Sequence, residues 1–307
     1  SGRRGMSSRA QISLVAVAAL LLTAAGVRLA ARPEPAPAVR ERRPIVDMTG
    51  RTVSIPARPE RILSLCTSAT DAIVRLGAGA SLAGIDEYSR IVPGTADAVV
   101  MGRGSAISPE HVVARGVDLA FIWWYQDDVA AVLDRLGVPA VRITSGRAAD
   151  VPAVITLIGR CIAREQEAAG LADRVTGYLR QAQERPAEPA PSVYLELYGP
   201  FKTAGAGSYM DDLLALAGGA NVAAAAGGGS LLSPEHLIGA DPDVILFVDE
   251  FATVESLRRR NGMEAISAVR SGRVHPIPRY WLVAGGGLPE SVAGLRAIIH
   301  DGALPER

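Results

Sequence analysis

ISPEHVVARGVDLAFI (residues 107–122) and LSPEHLIGADPDVILF (residues 232–247) align without a gap, 125 positions apart, and begin with the same Ser-Pro-Glu-His. An acidic residue before the last apolar run also matches, Asp118 in one copy and Asp243 in the other. In each, Ser at N-cap, Pro at N1 and Glu at N2 open a helix, and an apolar strand follows. Two copies are too few for a solenoid, which stacks at least about three units. The pair instead predicts two lobes of the same architecture, each presenting one glutamate at a helix start, Glu110 and Glu235.

Working outward, residues 45–56 alternate around a Thr-Gly turn and predict a small hairpin. Short apolar strands are expected over 61–65, 82–86, 119–123 and 140–143, with helices over 69–76 (capped by Thr67 or Ser68), 109–114 and 127–136. Residues 151–183 hold few breakers and predict two helices, the second over 165–184. A second set follows: strands at 193–197, 244–248 and 274–277, and helices at 209–217, from Pro234, at 254–260 and at 290–300. Strands of four to six residues alternating with helices imply a parallel sheet covered on both faces. The expected fold is α/β, two Rossmann-like lobes joined by a single long backbone helix. The expected boundaries are 44–162 for the first lobe, 163–186 for the connecting helix and 187–307 for the second.

The N-terminus reads differently. Arg3, Arg4 and Arg9 precede an uncharged run over residues 12–27. At sixteen residues it is short for a spanning helix of about 20 and fits a secretory signal, with an uncleaved anchor as the alternative. Residues 1–31 are assigned to this segment and 32–43, Pro-rich and charged, to a linker. No cysteine follows the run, so lipid attachment is not expected, and the protein is expected to be periplasmic or otherwise extracytoplasmic. Cys66 and Cys161 read as two buried free thiols, with a disulfide, which an oxidising compartment permits, as the alternative.

Lys and Arg total 32 and so do Asp and Glu, so no net field recruits nucleic acid. No Gly-x-Ser-x-Gly elbow or His-Glu-x-x-His occurs and the four histidines are scattered, so no catalytic residue, metal site or cofactor is assigned. His111 and His236 read as structural. Residues 205–208 are Gly-rich but lack a P-loop Lys-Ser/Thr. Ligands of open α/β sheets bind beyond the carboxyl ends of strands. That rule selects Tyr88, Arg103, Trp123, Trp124, Tyr125, Tyr198, Lys202, Arg279, Tyr280 and Trp281 as ligand-side candidates. Aromatic and cationic together, they suggest a wide cleft for a flat or bulky anionic ligand.

PERILSLCTSATD (residues 59–71), LGAG (76–79) and GIDEYS (84–89) resemble the opening of class III periplasmic binding proteins, which serve ABC importers of ferric siderophores, haem and cobalamin. The Ser-Pro-Glu segments, TAGAGS (203–208), LAGGANV (216–222) and LPE (304–306) resemble the same family, over about residues 45–306. The resemblance implies a metal-chelate ligand in the interlobe cleft, modest closure about one rigid helix, and no chemistry. It also implies that one glutamate per lobe, here Glu110 and Glu235, pairs with arginines of a permease dimer served by its ATPase. Asp71 stands where the family often has Glu. The protein is expected to act as a monomer. A membrane-tethered sensor of the same fold and a two-domain extracytoplasmic enzyme are the other readings; the enzyme would need a nucleophile or acid–base pair that the sequence does not offer.

Overall fold

The computed structural model describes residues 41–302 apart from Ser105 and residues 185–188 and 227–230. The signal or anchor segment, most of the linker and the LPE motif at 304–306 lie outside the described residues. Among the described residues no helix is long and apolar enough to cross a membrane.

Strands β1 (Arg42–Val46) and β2 (Thr52–Pro56) form the expected antiparallel hairpin. It begins two residues before the expected Pro44, because Arg42 reaches Ser54 Oγ at 3.2 Å and Arg43 approaches Glu165 at 3.5 Å. The last arginines of the linker thus belong to the folded body.

The first lobe runs β3 (Ile62–Ser64), α1 (Thr67–Arg75), β4 (Leu82–Asp86), β5 (Val99–Arg103), β6 (Ala106–Ile107), α2 (Pro109–Ala114), β7 (Leu119–Trp123), α3 (Asp127–Arg135) and β8 (Ala140–Ile143). Its sheet order is β6-β5-β4-β3-β7-β8, parallel except where β6 pairs antiparallel with β5. The central strands β3 and β4 are buried at every position, as a sheet covered on both faces requires. Strands β5 and β6 were not expected, since at the edge their residues are half exposed and interrupted by glycine. Helix α1 starts earlier than predicted, with Cys66 at the N-cap and no side-chain capping bond. Thr67 is therefore in the first turn rather than capping it.

Helices α4 (Val151–Cys161) and α5 (Glu165–Gln183) follow, then β9 (Ser192–Glu196), α6 (Tyr209–Leu216), β10 (Ala220–Asn221), α7 (Pro234–Ala240), β11 (Val244–Val248), α8 (Val254–Arg258), α9 (Ser267–Ser271), β12 (Val274–Ile277) and α10 (Leu288–Asp301). The second sheet is all parallel, in the order β10-β9-β11-β12. Every strand of the six-stranded sheet precedes α5 and every strand of the four-stranded sheet follows it. The 19-residue α5 is about 28 Å long at 1.5 Å per residue. One apolar cluster includes Ile73 and Phe121 of the first lobe, Leu171 of α5, and Leu246 and Leu295 of the second.

The repeat has a structural meaning in both lobes. Ser108 Oγ accepts from the His111 N–H at 3.3 Å, and Ser233 Oγ from the His236 N–H at 3.1 Å. Asp118 accepts the N–H groups of Glu60 and Arg61, both at 3.0 Å, just before β3. Asp243 does the same at the start of β9, taking the Ser192 N–H at 2.8 Å and its hydroxyl at 2.7 Å. The matched acid thus ties each repeat strand to its neighbour. Cys66 and Cys161 are buried and unlinked, and burial pushes each thiol up to about 12.

Candidate ligand-binding cleft

A cavity of about 640 Å³ opens where strand ends from both lobes meet. From the first lobe, Thr67 follows β3, Asp86 and Tyr88 come from the end of β4, Arg103 and Gly104 from β5, and Trp123 and Tyr125 from β7. From the second, Tyr198 follows β9, Phe251 follows β11, and Arg279, Leu282 and Val283 follow β12. Parallel strands deliver all these loops to one rim, which is where open α/β sheets bind ligands.

Buried polar groups hold the loops. Gln126, buried, accepts the Trp123 N–H at 2.8 Å and donates to the Gly104 carbonyl at 2.7 Å, tying the β5 and β7 loops together. Asp86 caps the turn carrying Tyr88 by accepting the Ser89 N–H at 2.9 Å. Burial outweighs that bond and holds its carboxyl above the ordinary value. Trp123 stacks with Tyr125 at 6.4 Å between centroids, and Tyr198 meets Phe251 edge-on at 6.1 Å. Loss of water around the Tyr125 phenol raises its pKa, so it stays protonated and neutral. Arg103 pairs with Glu87 at 3.0 Å. Arg279 pairs with Glu250 at 2.8 Å, donates to the Tyr88 carbonyl at 3.4 Å and lies 5.8 Å over the Phe251 ring.

Of the ten ligand-side candidates, Tyr88, Arg103, Trp123, Tyr125, Tyr198 and Arg279 line this cavity. The other four lie outside its lining. Trp124 is exposed at the outer edge of Tyr125, meeting it edge-on at 5.5 Å. Lys202 bridges to Leu231 through its backbone, with its side chain exposed. Tyr280 points instead at Asp71. Trp281 packs on Gly294 of α10, where a Cβ would come within 2.4 Å of the ring. Adjacent residues of a turn face different ways, so a strand-end rule selects the loop without selecting the side chain. Phe251 was missed although it follows β11 by the same rule; Thr67, Met210 and Leu282 carried no sequence signal of their own.

The lobes also touch beside the cleft. Asp212 of α6 accepts two bonds from the Arg147 guanidinium, at 2.8 and 2.6 Å, and the Ala148 N–H at 2.8 Å. Asp71 of α1 accepts from the Tyr280 hydroxyl at 2.6 Å and from the Gly286 N–H at 2.7 Å. Away from the cavity lining, Glu110 and Glu235 are both exposed at the N2 positions of α2 and α7. Bonds from its own backbone N–H and from Ser108 hold the Glu110 carboxyl below its usual value. Among the described residues no group of three or more His, Cys, Asp or Glu side chains could hold a metal ion.

Comparison with known proteins agrees with this architecture. The family model described as periplasmic binding protein matches residues 62–280. An uncharacterized ABC transporter substrate-binding lipoprotein, YvrC of Bacillus subtilis, is 24% identical over 279 residues, covering 85% of this chain and 87% of the relative. A cobalamin-binding protein of Halobacterium salinarum is 27% identical over 222 residues, covering 65% of this chain and 57% of that protein. Among solved structures, the apo periplasmic heme-binding protein RhuT of Roseiflexus sp. RS-1 has a TM-score of 0.71 at 25% identity, covering 79% of this chain and 98% of that one. These relatives are binding proteins rather than enzymes, as this chain is. The chain belongs to the periplasmic binding protein family.

Proposed function

We propose that the protein is the extracytoplasmic substrate-binding component of an ABC importer, capturing a metal chelate in the interlobe cleft and delivering it to a permease and its ATPase. The observation that carries this reading is the cavity of about 640 Å³ walled by aromatic rings from both lobes. Its size suits a bulky ligand, since small-molecule pockets commonly span about 300–1,000 Å³. Flat faces at Trp123, Tyr125 and Phe251 suit a large conjugated ring or chelate shell. The cobalamin-binding and heme-binding relatives are proteins with cargoes of this kind. Tyr88, Arg103, Trp123, Tyr125, Tyr198 and Arg279 are the proposed ligand contacts. Glu110 and Glu235, one exposed on each lobe, are the proposed contacts to arginines on the permease dimer.

Trp123 makes the reading testable by intrinsic fluorescence. Titration of the protein with cyanocobalamin, haemin and a panel of ferric siderophores is expected to give saturable quenching by one member, at micromolar concentration or below. Trp123→Ala should weaken that ligand by about tenfold, the loss of one buried aromatic face. An unchanged affinity in the variant would move the ligand out of this cleft.

A further inference from the structure

Each arginine that lines the cavity already has a glutamate partner within its own lobe. Arg103 is paired with Glu87, which follows β4, and Arg279 with Glu250, which follows β11. Arg279 is further committed to the Tyr88 carbonyl and the Phe251 ring. The lining adds the buried carboxyl of Asp86 and includes neither histidine nor lysine; the chain's one lysine, Lys202, lies outside it. What remains is aromatic and aliphatic faces with neutral hydroxyl groups. An anionic ligand would have to displace a glutamate from its arginine or bind beside it, exchanging one ion pair for another with little gain. A ligand with apolar faces and a neutral amide or hydroxyl rim meets no such competition.

We propose that Glu87 and Glu250 form a charge filter that makes the cleft select bulky chelates without net negative charge over polyanionic ones. This rests on reading the cleft as a chelate site, and it reverses the anionic ligand that the arginine-rich strand ends suggest in the sequence. The two glutamates act through Arg103 and Arg279 and are positioning residues for specificity.

Ligand pairs of matched shape isolate the charge: haemin against its dimethyl ester, and cyanocobalamin against its carboxylic acid derivatives. On the scaffold that binds, the wild-type protein is expected to hold the uncharged-rim member about fivefold or more tighter than the carboxylate member. Glu87→Gln with Glu250→Gln should close that gap by raising affinity for the carboxylate member, and about 0.5 M salt should remove the gain. Equal or tighter binding of the carboxylate member by wild type, or a gap unchanged in the double variant, overturns the filter while leaving the binding-protein reading intact. If neither scaffold binds, preference for a polyanionic ferric siderophore over a neutral one overturns the filter, and no binding across the siderophores overturns the chelate reading itself, and the filter with it.

Discussion

The Asp71 carboxylate, 1% exposed, receives the Tyr280 hydroxyl, the Gly286 N–H and, at 3.1 Å, Nε of Arg75. Arg75 also donates to the Tyr280 oxygen at 3.0 Å, closing a triangle across the lobe interface. Gly285 makes this approach possible, because a Cβ there would lie 2.3 Å from Asp71 Oδ2. Asp71→Asn removes the charge and turns an amide donor toward groups that are themselves donors, so one of them is left unsatisfied. The expected loss is about 2 kcal/mol, against about 1 kcal/mol for Tyr280→Phe, which removes the hydroxyl's bonds to Asp71 and Arg75 but leaves the carboxylate held by Arg75 and Gly286. Urea unfolding of the two variants checks the order. Equal stability of Asp71→Asn and wild type would mean that the triangle contributes nothing. The strand-end rule selects Tyr280 as a ligand-side candidate; its partner lies 209 positions earlier, beyond the reach of any local pattern.

At the scale of elements, the loop between β9 and α6 shows how a buried pair can hold a wall of the cavity. Phe201 has a left-handed backbone, φ 62°, and its N–H donates to Glu196 Oε2 at 3.0 Å. Glu196 in turn takes two bonds from Arg260, at 2.6 and 2.8 Å, and one from the Tyr194 hydroxyl at 3.1 Å. The Arg260 guanidinium lies 5.5 Å over the Phe201 ring. This clamp fixes the turn that carries Tyr198 to the cleft. Arg260→Met leaves Glu196 buried without its counter-charge and should cost about 3 kcal/mol. Adding Glu196→Gln should recover part of that loss, because no unpaired charge then remains. Chemical denaturation of both variants measures it, and a double variant less stable than Arg260→Met would exclude the charge as the cause. Strand and helix positions here were legible from apolar runs and glycine stops. The clamp was not, since Glu196 reads in sequence as the polar end of a strand.

For the whole molecule, two sheets meet through a shared apolar core and a single chain crossing over α4 and α5. With Asp71 and Asp212 bonded across the same interface, lobe closure is expected to be small. Glu110 and Glu235 are then carried on lobes of nearly constant separation, as a rigid two-point docking surface needs. Glu110→Ala with Glu235→Ala is expected to abolish permease-coupled uptake while leaving ligand affinity within about twofold, because each side chain is exposed and neither lines the cavity. Parallel loss of ligand binding would place them in the cleft and remove the docking role.

The sequence by itself determined the α/β class, the duplicated lobe unit, the long helix and the loops that line the candidate cleft. Each of these is written locally, in apolar periodicity, in Ser-Pro-Glu caps and in the glycines that end helices. The tertiary structure alone decided which aromatic residues turn inward, that Asp71 takes Tyr280 away from the cleft, and that both cavity arginines are met by glutamates. Those outcomes depend on side chains tens to hundreds of positions apart competing for the same partners. Charge compensation in particular is invisible in composition, since an arginine reads the same whether or not a carboxylate waits beside it.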